Sequence, residues 1–247
     1  MATRVSYRPL PESASDPDAD QRPRHAMRQT FLKTGVVTEA TGSAYVELQS
    51  PSGRSTKVIC AVFGPRQTSK VSTFSESGRL WCDFKYAPFS NPGGRIPRTG
   101  QSEKERLLSR SVEKALHDAI LFDKFPKAVL EVYVLVLEDD GGDLEAAITC
   151  ASAAIADAGV EMLDVVTAVS SGYSPESGVV LDPTSTLQRS LSATASVAFI
   201  PVTGKVTHVI VTGRGSEPNI KRMVDACLDG CSQLSAVVRT VLTTQLS

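Results

Sequence analysis

The chain is poor in the groups that usually announce catalysis. Its three histidines, His25, His117 and His208, lie far apart with no acid–base or ligand spacing, so structural or exposed roles fit them. Five cysteines (Cys60, Cys82, Cys150, Cys227, Cys231) are an odd number scattered through apolar segments. That argues against a disulfide framework and fits buried thiols in a reducing compartment. Cys227 and Cys231 are four apart, but with no second ligand pair nearby they make no metal site. A formal net charge of -1 excludes bulk attraction to nucleic acid, so any RNA contact has to come from a local patch. No apolar run approaches the roughly 18 residues of a membrane span and no secretory leader is visible, so a soluble intracellular protein is expected. No Pro/Gly/Ser-rich linker divides the 247 residues, which favours one domain over two.

What is present centres on residues 129 to 158. Val-Leu-Glu-Val-Tyr-Val-Leu-Val-Leu (129–137) is β-branched and almost unbroken apolar, which reads as a strand buried on both faces. Glu138-Asp139-Asp140-Gly141-Gly142 makes a turn, and Asp143 takes the place of a helix N-cap carboxylate. Leu144 to Asp157 is a small-residue helix that Gly159 is placed to stop. A strand ending at a helix start makes an anion site, because unpaired N–H groups and the helix dipole face one spot. Here that spot carries carboxylates and no arginine. The architecture points to phosphate chemistry; the side chains argue against it.

Residues 1 to 28 are polar and proline-dotted, with Asp16, Asp18 and Asp20 followed by Arg22, Arg24 and Arg28. They read as a flexible or surface-tracking arm ahead of one domain over 29–247. Lys33 to Pro65 reads as a strand meander, Arg79 to Ala87 as a strand, and Pro88 to Gly100 as a loop bearing Arg95 and Arg98. Ser102 and Glu105 have capping-box spacing, and Leu108, Val112, Ala115, Leu116, Ala119 and Ile120 give the following helix one apolar face. Strands are expected at Met162–Val169, Val179–Asp182, Ser196–Ile200 and Lys205–Val211. The last helix starts near Ser216, with Pro218 in its first turn and an apolar stripe from Ile220 through Val237 to Leu242. This order gives an α/β or α+β fold.

The basic residues Arg95, Arg98, Lys104, Arg106 and Arg110 are candidates for RNA contact. Arg106 and Arg110 stand one turn apart beside a basic loop, a pattern that can track phosphates. The alternative is a solvated face paired with Glu103, Glu105 and Glu113. Trp81, Phe84, Tyr86 and Phe89 could stack bases, although the alternation of Trp81, Asp83 and Lys85 with Cys82, Phe84 and Tyr86 favours core or a subunit interface. Glu138, Asp139, Asp140 and Asp143 lack the ligand spacing of a calcium loop, and Gly213-Arg214-Gly215 is too short for a dinucleotide loop. No metal or cofactor is expected.

Gly141-Gly142, followed by a helix carrying Ala147-Ile148-Thr149 and Ala156-Asp157-Ala158-Gly159, resembles the ribonuclease PH domain. That domain is shared by phosphate-dependent exoribonucleases and the ring subunits of the RNA exosome. Thr41-Gly42-Ser43-Ala44, Lys57-Val58-Ile59-Cys60-Ala61-Val62, the Asp-Phe strand within 80–88, Val160 to Asp164, Leu181 to Thr184 and Ile200 to Val206 fit in the same order. The resemblance covers most of the chain. It implies a ribonuclease PH-type fold of repeated β–α units, with a mixed sheet core and packed helices. In active members Thr-Arg follows the double glycine and the Arg holds the attacking phosphate; here those positions are Asp143 and Leu144. The resemblance also puts the catalytic aspartate at about Thr194, and no acid occurs between Asp182 and Pro201. It sets Arg66 at a position that faces a central pore in relatives.

With both groups missing, and Asp143 and Glu145 repelling a dianion, the resemblance implies an inactive chain, since each electrostatic donor is typically worth about 10²–10³ in rate. Residues 78–89, 137–142 and 156–164, with the polar arm, are most similar to the mRNA-transport-regulator branch of exosome ring subunits. That branch implies a hetero-oligomeric ring of ribonuclease PH-like subunits, S1/KH-type cap proteins, separate catalytic nucleases and single-stranded RNA, with no membrane partner. The implied role is scaffolding and RNA threading in 3′-to-5′ processing and degradation of rRNA, mRNA and other RNAs, in nucleus, nucleolus and cytoplasm. Two rivals stand beside it: an active phosphate-dependent 3′-to-5′ exoribonuclease of the same family, and an RNA-binding module acting alone.

Overall fold

The computed structural model describes residues 22–50, 53–67, 77–91 and 100–245. Strands β1 (Gln29–Thr34), β2 (Gly42–Gln49) and β3 (Ser55–Arg66) form the expected meander, followed by β4 (Arg79–Tyr86), α1 (Glu103–His117) and β5 (Val129–Glu138). Then come α2 (Asp143–Asp157), β6 (Thr167–Ser174), β7 (Gly178–Leu181), the single turn α3 (Ser185–Gln188), β8 (Ala193–Ile200), β9 (Lys205–Gly213) and α4 (Glu217–Gln245).

The first sheet runs β1-β2-β3-β5-β4 and is antiparallel except for β4 and β5. A parallel pair needs a long crossover, and α1 supplies it. The second sheet, β7-β6-β8-β9, is antiparallel throughout. α2 packs against β2 and β3 on one side and β6 on the other, while α4 lies on β6, β7 and β8. The result is an α+β arrangement layered sheet, helices, sheet, helix. Every residue from Leu144 to Ile155 is buried, as a helix apolar all round requires. Its small residues permit close approach: a Cβ on Gly42 would stand 2.2 Å from the amide nitrogen of Ala158.

Several expectations hold. Ser102 and Glu105 close their capping box, the Glu105 amide donating to Ser102 Oγ at 3.2 Å and the Ser102 amide to Glu105 Oε2 at 2.7 Å. All five cysteines are free and buried. On α4, Met223, Cys227, Cys231, Leu234 and Val238 face inward.

Others need correction. β5 is buried on one face only: Leu130, Val132, Val134 and Val136 are in the core, while Tyr133 and its same-face neighbours are partly open. The strand expected at Met162–Val169 starts at Thr167 and continues through Ser170-Ser171-Gly172. This polar run lies beyond the expected strand, and α4 satisfies one of its hydroxyls, Ser171 Oγ donating to the Met223 carbonyl at 3.1 Å. Val237 leaves the α4 stripe and is exposed. Residues 1–21 lie outside the described residues, but 22–28 already pack onto the body. The Leu181 amide donates to the Arg24 carbonyl at 2.8 Å, Met27 packs on the core, and Arg28 is buried.

Candidate oxyanion site and basic helix face

β5 delivers the chain to the turn at Gly141-Gly142, where α2 begins. The N-cap is Gly142, in the left-handed region at φ 72, and no side chain caps the helix. Asp143 is therefore the first helical residue and not the cap, because the cap must be left-handed and the glycine supplies that freely. Asp143 still occupies the helix start: Oδ1 accepts the Leu144 amide at 3.0 Å, and Oδ2 accepts the Tyr86 hydroxyl. Lys104 Nζ lies 3.8 Å from Oδ2 and 4.6 Å from the centre of the Tyr86 ring. The fold thus brings one basic candidate, Lys104, to the start of α2. Burial, and then the Asp143 charge, push the Tyr86 phenol far above its usual range, so it stays a donor. Leu144 turns into the core.

Acids surround this start. Asp139 accepts the Gly141 amide at 2.9 Å, and its carboxyl is raised by burial first and by Asp143 next. Asp140 is buried, with Oδ1 accepting Ser185 Oγ at 2.8 Å. Glu145 is buried, and burial pushes its carboxyl up to about 7. An incoming phosphate would meet carboxylates and no uncommitted arginine among the described residues.

An arginine is nearby, on the wrong side of the turn. Arg28, only 2% exposed, donates to Asp182 through Nε at 3.0 Å and Nη2 at 2.6 Å. Nη2 also reaches the Gly141 carbonyl at 2.9 Å and Nη1 the Asp140 carbonyl at 3.3 Å. The guanidinium binds the carbonyl side of the turn, and its donors are spent internally. Both glycines serve this packing. A Cβ on Gly142 would stand 2.6 Å from Arg28 Nη2, and one on Gly141 2.8 Å from the Ser185 amide nitrogen. The double glycine is kept by crowding, with no phosphate needed to explain it.

Thr194 lies on β8 with its hydroxyl 2.6 Å from that of Thr212. Two residues on, Ser196 hydrogen-bonds Glu145, so this face of β8 looks toward the α2 start. No carboxylate stands at Thr194.

The other basic candidates separate. Arg66 pairs with Glu131 and sits over the Phe63 ring at 5.7 Å. Arg95 and Arg98 lie outside the described residues. Arg106 and Arg110 are exposed on α1, one turn apart, and Lys114 continues the row. Neither arginine is paired with a described carboxylate. Glu105 cannot neutralise them: it is buried, with Oε1 accepting the Tyr86 amide at 3.0 Å and Oε2 in the capping box. Trp81 faces outward and Phe84 inward, as their alternation requires. Among the described residues, no group of three His, Cys, Asp or Glu side chains could hold a metal ion.

Sequence reasoning missed the Arg28–Asp182 clamp, Tyr86 as donor to Asp143, and Lys114. The visible signals were Met27 beside Arg28, unexpected in a solvated arm, and the four-residue step from Arg110 to Lys114.

Residues 26–161 match the model of the RNase PH family, described as 3′ exoribonuclease family, domain 1. The chain belongs to this family. An Arabidopsis thaliana protein named exosome complex component RRP41-like is 37% identical over 223 residues, covering 90% of this chain and 83% of that protein. Exosome complex component MTR3 of Mus musculus is 37% identical over 235 residues, covering 87% and 82%. Among solved structures, rice Rrp46 superposes with a TM-score of 0.78 at 23% identity, over 91% of this chain and 99% of that one. An Archaeoglobus fulgidus exosome chain, solved with RNA bound to the active site, gives 0.74 at 19% identity over 87% and 90%.

Proposed function

We propose that this chain is a non-catalytic subunit of an exosome core ring. It would hold the assembly together and guide single-stranded RNA during 3′-to-5′ processing and degradation of rRNA, mRNA and other RNAs. The observation that carries the reading is the start of α2. Asp143 takes the helix-start amide of Leu144 and the Tyr86 hydroxyl for itself, while Arg28 is locked to Asp182. Inorganic phosphate would have to displace a covalently tethered carboxylate against Asp139, Asp140 and Glu145. With Thr194 in place of an acid, neither the attacking anion nor the leaving group has its partner.

The names of the relatives, exosome components along most of their length, support assembly with other ribonuclease PH-like subunits. S1/KH-type caps, separate catalytic nucleases, and a nuclear, nucleolar and cytoplasmic location follow from that role. Arg106 and Arg110, about 6 Å apart along the helix axis, are the described cations best arranged to follow a phosphate backbone, with Arg95 and Arg98 shortly before them in the sequence. Lys104, shared with Asp143, and Arg66, shared with Glu131, are weaker contacts. A second reading, an active phosphate-dependent exoribonuclease, draws on the equal identity to an RRP41-like relative. It needs a phosphate cation freed from a carboxylate, Lys104 from Asp143 or Arg54 from Asp140, or one supplied by other residues.

The test is to incubate the purified chain with single-stranded RNA with and without inorganic phosphate. No nucleoside diphosphate should be released. Phosphate-dependent release by this chain alone would overturn the reading in favour of the second.

A further inference from the structure

We propose that Ser192 is a phosphoacceptor for a protein kinase of the calmodulin-dependent type, and that the phosphate so formed is held by Arg214. Such kinases take an apolar side chain five positions before the acceptor and an arginine three positions before it, a pattern that sets substrate choice. Leu187-Gln188-Arg189-Ser190-Leu191-Ser192 has both, with Leu187 and Arg189 in the two places. Arg-x-x-Ser occurs at two other points of the chain, ending at Ser69 and Ser109. Neither has the apolar residue: Gly64 and Lys104 stand there instead.

The fold separates the three serines further. Ser69 lies outside the described residues. Ser109 is buried on α1, where its hydroxyl donates to the Glu105 carbonyl at 2.8 Å and accepts the Phe84 amide at 2.9 Å. Ser192 is exposed in the connection between α3 and β8, as are Arg189 and Ser190. A kinase cleft takes its substrate extended, and α3 is a single turn with no side-chain cap and no buried residue, so it can open without disturbing the core. Arg189 pairs with no described carboxylate and is available to the kinase.

Arg214 stands directly across from Ser192. Its amide donates to the Ser192 carbonyl at 2.9 Å, one step beyond the Ala193–Gly213 pair of β8 and β9. Residues opposed in this way have Cβ atoms about 5 Å apart, a span that a phosphoserine and a guanidinium bridge. Both side chains open on a groove of about 680 Å³ that Tyr173, Pro175, Ser216 and Asn219 help to line. Among the described residues no carboxylate lines it; Glu176 and Glu217, next in sequence to its walls, are not part of them. Arg214 pairs with no described carboxylate either. One unspent guanidinium among hydroxyls and a carboxamide suits a phosphate, which brings a charge of about −1.5 to −2 and three acceptor oxygens.

In the transfer, Ser192 Oγ forms a bond to the γ-phosphorus of ATP as the bond from that phosphorus to the β,γ-bridging oxygen breaks. ADP leaves with the electron pair, and the hydroxyl proton passes to the catalytic aspartate of the kinase. The product phosphate then turns to Arg214 and ties the start of β8 to the end of β9. The site stands apart from the start of α2 and does not depend on the ring-subunit reading above.

The test is to incubate the full chain with calmodulin-dependent protein kinase II, Ca²⁺/calmodulin and ATP, and to map the product by mass spectrometry. Phosphate is expected on Ser192, and Ser192→Ala, shown to be folded by circular dichroism, should lose it. Arg189→Ala should lower kcat/KM for the kinase at least about 10-fold. Arg214→Gln should be phosphorylated at the parent's rate, but alkaline phosphatase should then remove the phosphate about threefold faster than from the parent chain. No incorporation, or incorporation only elsewhere, as at Ser190 or Thr194, would overturn Ser192 as the acceptor. Equal rates of removal from the parent and Arg214→Gln would overturn the role of Arg214.

Discussion

At the start of α1, Ser102 and Glu105 close on each other's backbone, and the next turns show Arg106 and Arg110 to solvent. At the start of α2 no side chain caps the helix; Gly142 bends back under Arg28, whose guanidinium is consumed inside the molecule. The two starts share an origin in strand-to-helix connections and differ in what is left over. A helix start built by side-chain capping leaves its outer face free to meet a partner. One built by glycine crowding keeps its backbone shape for packing reasons, whatever chemistry the site carries. Retention of a motif's glycines is therefore evidence about packing, and only its side chains are evidence about reaction.

The contrast can be broken most forcefully at Arg28. Arg28→Met leaves Asp182 buried without its partner and should cost about 3–5 kcal/mol in urea unfolding. Glu145 comes next. Its carboxyl is raised to about 7 from 4.5, so the folded state favours the protonated form. Its contribution is fully present below the unfolded value and is lost as pH rises through about 7. This amounts to about 3 kcal/mol at one pK unit per 1.36 kcal/mol. Glu145→Gln should remove that slope, gaining on the parent chain at pH 8 and not at pH 4, as paired denaturation curves would show.

Gly141→Ala forces a Cβ against the Ser185 amide at φ 87 and should cost about 2 kcal/mol. At the α1 start the effects are smaller. Ser102→Ala should cost about 1 kcal/mol in the same unfolding assay. Arg106→Glu with Arg110→Glu should change stability by less than about 0.5 kcal/mol. The same pair should reduce crosslinking to single-stranded RNA and flatten its salt dependence. Unchanged crosslinking would remove α1 from the RNA path.

Much of this was legible in the sequence. The capping box of α1, the meander, the outward Trp81 and the small-residue α2 follow from local spacing, and the structure agrees. Several losses share a cause: side chains satisfied by distant partners look unsatisfied when read along the chain. Ser170-Ser171-Gly172 is too polar to extend the strand expected to end at Val169 until α2 and α4 flank it. Arg28 resembles a solvated arm until Asp182, 154 positions on, accepts from it. Asp143 has the composition of a cap, but the turn before it demanded a left-handed residue and Gly142 took the role. β5 was misread for the opposite reason, since its second apolar face has no cover within the described chain.

The central claim is that the start of α2 is closed to inorganic phosphate by its own carboxylates. The most direct measurement is a phosphate titration of the ¹⁵N-labelled chain, following the amides of Gly142 to Glu145. No saturable shift at these amides is expected through the millimolar range. A saturable shift confined to them, abolished by Lys104→Ala, would show an open oxyanion site and contradict the account.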